Sequence, residues 1–151
     1  MKFVNEITVN QPVEKVFAFF SQPENLPKWN YYITSVEKTT PDISGLGAQY
    51  HQRRQADEQF YEVTAWAENA LFEINSLPGS KPKAKRTTRF IPSGEATHLV
   101  DEFELKTGFP GFLESFARKR VKSAVLENLK KLKKLLEEGC VTLQDGRLIK
   151  F

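Results

Sequence analysis

At 151 residues, 40% hydrophobic and 27% charged, the chain has room for one ordinary core and lacks the bias of a disordered or fibrous sequence. A net charge of +3 is too small to argue nucleic-acid binding, and the lone Cys140 excludes an internal disulfide framework. These features predict a cytoplasmic protein with no metal, no cofactor and no nucleic-acid partner.

The opening MKFVNEITVN is polar and alternates, with Phe3, Ile7 and Val9 on one side and Lys2, Glu6 and Thr8 on the other. It reads as a half-buried strand rather than a targeting or membrane-spanning segment. Gln11-Pro12 then opens a short amphipathic helix, since proline in a first turn gives up only an N–H that would be unpaired anyway. Val13, Val16, Phe17 and Phe20 recur at helical spacing, and Pro23 and Pro27 bracket one more turn ending at Trp29. Strand-like runs follow at 31–38, 48–55, 59–67, 71–77, 85–91 and 97–106, separated by turns such as Asp57-Glu58, Glu68-Asn69 and Pro92-Ser93-Gly94. Short runs joined by tight turns predict an antiparallel meander.

From 112 to 138 there is neither proline nor glycine, and Gly139 closes the run as a C-cap. Helical spacing puts Ala117, Val121, Ala124, Val125, Leu132, Leu135 and Leu136 on one face, with Asn128 at its centre. Lys119, Lys130, Lys133 and Lys134 are expected to point away. Phe112 and Phe116 fall off the stripe, which predicts a bend or change of phase in the first turns. The tail 140–151, following a domain spanning 1–139, contains Asp145-Gly146, the signal of a small hairpin that would be marginal unless docked. Its unpaired edge keeps both a monomer and a homodimer in view.

Strand, short helices, a run of strands and one long helix make an α+β fold in which only that helix can cover the sheet. A curved antiparallel sheet of about six or seven strands gripping one helix leaves space between them. Four stretches carry a resemblance that agrees with this order. They are Ile7-Thr8-Val9-Asn10-Gln11-Pro12-Val13-Glu14-Lys15-Val16-Phe17, Asn25-Leu26-Pro27-Lys28-Trp29-Asn30, Arg89-Phe90-Ile91-Pro92-Ser93-Gly94 with Ala96-Thr97-His98-Leu99, and the closing Leu132-Lys133-Lys134-Leu135-Leu136-Glu137. In this order they resemble the START-like (SRPBCC) superfamily, which includes the polyketide cyclase/dehydrase and lipid-transport family. The resemblance implies the helix-grip fold and says less about function, because those relatives include both enzymes and carriers.

Strand alternation assigns an inward-facing set. It comprises Ala48, Tyr50, Gln52 and Arg54, then Tyr61, Val63, Ala65 and Ala67, then Phe72 and Ile74. Arg86, Thr88 and Phe90 follow, and Leu99, Asp101, Phe103 and Leu105 complete it. Three ionisable groups are thus aimed at an apolar interior, where a charge must be paired or wet. Arg54, Arg86 and Asp101 either pair across strands, with Arg86 and Asp101 the natural couple, or meet a ligand. Asn128 needs partners for its amide, and Trp29 can wall a pocket mouth. Trp66 is expected on the outer sheet face, with His51 and His98 also outward. The expected ligand-binding set is Trp29, Tyr50, Gln52, Arg54, Tyr61, Phe72, Arg86, Thr88, Phe90, Asp101, Phe103 and Asn128.

A binding module for a small hydrophobic ligand (a lipid, an isoprenoid or quinone, or a polyketide-like molecule) asks the fewest special features of these residues. A cyclase or aromatase using Tyr50, Arg54 and Asp101 is the enzymatic alternative, and the residues leave turnover open. A third reading rests on charge. The segment 81–89 holds Lys81, Lys83, Lys85, Arg86 and Arg89 with no acid, and 111–138 has eight basic against four acidic residues. Such a surface suits transient contact with a membrane surface or a protein.

Overall fold

The computed structural model describes residues 1–151. β1 (Lys2–Val9) leads to α1 (Val13–Phe20) and a tight 3-10 turn over Pro23–Lys28. Six strands follow: β2 (Ile33–Lys38), β3 (Gln49–Arg54), β4 (Glu58–Ala67), β5 (Leu71–Ser76), β6 (Lys83–Ser93) and β7 (Ala96–Lys106). The long helix α2 (Gly111–Glu138) comes next, then β8 (Cys140–Thr142) and β9 (Leu148–Lys150). The first seven strands form one antiparallel sheet in the order β1-β7-β6-β5-β4-β3-β2, so the first strand lies beside the last. This is the α+β order read from the elements, in the helix-grip arrangement that the resemblance implies.

One end of this arrangement is filled. Leu129, Leu132, Leu135 and Leu136 of α2 are buried together with Val9, Val16, Phe17 and Leu99. α2 stops at Gly139, whose φ of 79° is left-handed and whose amide closes on the Leu135 carbonyl at 2.9 Å. A side chain there would meet the αL penalty that glycine avoids. The tail hairpin β8–β9 sets Val141 and Leu143 into the same core, and Phe151 packs against Phe19 with ring centroids 5.2 Å apart.

Three local expectations are corrected. The register of β4 against β5 shifts between Val63 and Ala65, so Val63 faces Ile74 but Trp66, not Ala65 or Ala67, lies beside inward-facing Phe72. An extra residue reverses the alternation beyond it. Trp66 therefore comes to the inner face, edge-on to Phe17 at 5.1 Å and Phe72 at 5.8 Å. α2 runs unbroken from Gly111, and Phe112 and Phe116 are simply exposed, at 78% and 64%. Lys133 does not point away: its ammonium donates to the Thr8 carbonyl of β1 and to Glu137 at 2.9 Å.

Candidate functional site: a cavity under the first half of α2

Between the sheet and the N-terminal half of α2 lies an open cavity of about 600 Å³. Its floor is the inner face of β3 to β7, including Gln52, Tyr61, Ile74, Arg86 and Phe103. Its roof is Ala117, Arg120, Val121, Ala124, Val125 and Asn128 of α2. Leu26, Asn30, Tyr32 and Ile33 close one side, and Pro82, Thr107 and Phe109 border it near the start of α2. The space exists for two reasons. α2 approaches β1 and β8 and stands off the central strands, and over the gap it carries alanine and valine where its packed end carries leucine.

Arg86 is the most constrained polar group in the floor. Its Nε and Nη2 donate to the two carboxylate oxygens of Asp101, each at 2.8 Å, and Asp101 is fully buried. Thr88 on the same strand adds its hydroxyl to Asp101 Oδ1 at 2.7 Å. The guanidinium is also held between aromatic faces, 5.0 Å from the Phe20 ring, 5.5 Å from Trp29 and 4.8 Å from Phe103. A desolvated ion pair needs this bidentate geometry to offset the loss of water. Its Nη1 takes no protein acceptor, so an oriented N–H edge remains for the cavity that Arg86 lines.

Tyr61 presents the opposite situation. Its hydroxyl is the one fully buried side-chain polar atom without a hydrogen-bond partner. Burial foremost, with Tyr50 and Glu24 adding and the Arg86 charge opposing, pushes its pKa far above that of an ordinary phenol. The group is therefore a neutral O–H, placed where leaving it unpaired is costly. Asn128 is similarly half-satisfied: its Oδ1 accepts from Gln144 Nε2 at 3.4 Å, and its Nδ2 meets no protein acceptor.

Of the twelve residues expected from the sequence, Gln52, Arg54, Tyr61, Arg86, Phe103 and Asn128 line this cavity. Gln52 donates to Gln59 at 2.9 Å, and Arg54 is held at the rim by Asp57, at 2.6 Å through its Nε. The other six stand elsewhere. Trp29, Phe72 and Phe90 are core residues grouped around Phe20, and Thr88 and Asp101 lie behind Arg86. Tyr50 stacks on Tyr61 at 5.6 Å but borders a separate cleft with Glu24 and Trp66. Its pKa is pushed up to about 12 by burial, with Glu24 contributing. Sequence reasoning missed Tyr32, Arg120 and the roof as a roof, although alanine in place of leucine along the stripe was a visible signal.

Fourteen of the twenty-four lining residues are hydrophobic, and none is Asp, Glu, His, Cys or Lys. The cavity thus combines apolar walls with amide, hydroxyl and guanidinium groups, and no carboxylate, imidazole or thiol side chain lines it. Of its three arginines Arg54 is bound by Asp57 and Arg86 by Asp101, whereas Arg120 has no acid partner. No three His, Cys, Asp or Glu side chains come together to hold a metal, and no helix is long and apolar enough to cross a membrane.

Comparison with known proteins agrees with this architecture. The family model described as "Polyketide cyclase / dehydrase and lipid transport" matches residues 1–137. Among solved structures, a START superfamily protein from Mycobacterium smegmatis superposes with a TM-score of 0.73 at 17% identity, covering 91% of this chain and 97% of its own. A conserved protein from Geobacillus kaustophilus gives 0.73 at 18% identity, covering 92% and 97%. A protein from Thermus thermophilus gives 0.68 at 22% identity, covering 91% and 95%. Likenesses at this identity show the fold alone. No curated protein sequence matches the chain.

Proposed function

Because the chain belongs to the polyketide cyclase/dehydrase and lipid-transport family, we propose that it carries an elongated apolar molecule with an oxygen-bearing head, a carboxylate or a carbonyl. Family and fold are compatible with hydrophobic-ligand binding and with cyclase or dehydrase chemistry. The observation that favours binding is a cavity lined by apolar groups and donors whose floor includes Tyr61, the residue whose buried hydroxyl has no hydrogen-bond partner. A ligand oxygen accepting from Tyr61 and from the free edge of Arg86 would satisfy both, while the chain lies along Ile74, Val121 and Ala124. Gln52, Arg54, Phe103 and Asn128 are the further contacts in this reading. Proton transfer by Asp101 is disfavoured because Arg86 and Thr88 already engage both of its oxygens.

The test is a titration with a long-chain fatty acid and with the alkane of equal length, followed by the fluorescence of Trp29, which stacks on Arg86. The acid is expected to bind saturably and more tightly than the alkane. Tyr61→Phe should weaken the acid by about tenfold, the equivalent of one hydrogen bond to a charged group. The same variant should not lose folding stability, because it removes an unsatisfied buried group worth about 1 kcal/mol. No saturable response, with a bare chain mass in native mass spectrometry, would defeat the reading. So would equal affinity in Tyr61→Phe.

A further inference from the structure

Phe112 and Phe116, displaced from the buried stripe of α2, belong to a larger exposed group. Phe109 is 51% exposed, Phe112 78%, Leu113 45% and Phe116 64%. Scattered exposed apolar residues need no explanation, but four within eight positions form a patch. Phe112 and Phe116 share one helix face with Lys119 one turn further on, at i, i+4 and i+7. Between 106 and 122 the chain carries Lys106, Arg118, Lys119, Arg120 and Lys122 against one acid, Glu114. At the end of the β6–β7 pair Lys83 lies directly opposite Lys106 in the register. The patch also borders the ligand cavity, since Phe109 and Thr107 line it.

We infer that this end of the molecule docks on an anionic lipid surface, with the aromatic side chains entering the headgroup boundary and the lysines and arginines facing the lipid charge. Aromatic and basic side chains together are what an interfacial helix requires, and the electrostatic attraction acts only within a Debye length of the surface. A second copy of the chain fits less well, because two such faces would bring like charges together. Docked in this way, the cavity borders the acyl layer, and an apolar ligand passes between bilayer and protein without crossing water. The passage of ligand rests on the cavity being a ligand site, as argued above, whereas the docking itself rests on the exposed aromatic and basic side chains.

The experiment is co-sedimentation of the full chain with vesicles of phosphatidylcholine alone and with vesicles containing phosphatidylglycerol, at low and high salt. Fatty-acid binding is measured in parallel without vesicles. Binding to the anionic vesicles, weakened by salt, is expected. It should fall by at least about tenfold in Phe112→Ser/Phe116→Ser and in Lys119→Glu/Lys122→Glu, while fatty-acid binding and melting temperature stay unchanged, because these side chains lie outside the cavity. The docking is overturned if the chain ignores anionic vesicles. It is equally overturned if the double serine variant binds them as well as the parent does, since the attraction would then be charge alone. Either result beside intact fatty-acid binding leaves the carrier reading standing, whereas vesicle binding without fatty-acid binding removes the carrier reading and keeps the surface.

Discussion

Along α2 the buried face changes character at Asn128. Residues 129–136 present Leu129, Leu132, Leu135 and Leu136, all of them buried against β1, α1 and the tail hairpin. Residues 117–125 present Ala117, Val121, Ala124 and Val125, which are half-buried and look across a cavity of about 600 Å³. Backbone and hydrogen bonding are continuous through both halves. What differs is side-chain volume on one face and the distance to the sheet. The gap under the first half is open to solvent and falls within the volume range of small-molecule pockets. The Arg86–Asp101 pair stands at the divide, with Phe20 and Trp29 on the packed side of the guanidinium and Phe103 in the cavity wall.

Removing the divide should have the largest effect. Asp101→Asn leaves the Arg86 charge buried without its counter-ion and is expected to cost about 3–5 kcal/mol in urea denaturation. Leu132→Ala strikes the packed half, where the surroundings collapse only in part, and should cost about 2–5 kcal/mol. Ala124→Leu makes the open half resemble the packed one. Stability should shift by less than about 1.5 kcal/mol because the added methylenes enter empty space, while fatty-acid binding should be lost. A loss of stability as large as that of Leu132→Ala would mean that the two halves do not differ as described.

The smallest effect concerns pH. Tyr50 is raised from 10.0 to about 12, and Tyr61 is raised further. Above the unfolded value the unfolded chain has lost phenol protons that the folded chain retains, so stability is complete below that value and falls as pH rises through the folded pKa. The denaturation midpoint should therefore drop as pH climbs from 10.0 toward about 12, and Tyr50→Phe should shallow the drop. An unchanged slope in that variant would move the effect to other groups.

Much of this molecule could be read from local pattern. Alternation marked the strands, an uninterrupted run ending at Gly139 marked α2, and the inward phase of neighbouring strands placed Arg86 beside Asp101. Local pattern fails where one residue changes the phase. The bulge before Ala65 brings Trp66 to the inner face, and nothing in the sequence around Thr64 announces it. It also fails for the site. Periodicity tells which face a side chain occupies, but the space in front of it depends on elements far along the chain. Tyr50 and Tyr61 are opposed across adjacent strands, yet they border different clefts. Phe103 lines the cavity and Phe90 is sealed in the core, although both alternate inward. The sequence by itself determined the elements, their order and, apart from the far half of β4, their buried faces, because those follow from short-range geometry and hydrophobic period. Only the tertiary structure decided which inward side chains meet empty space, because that depends on volumes summed across β3 to β7 and α2 and on how far the helix stands off the sheet.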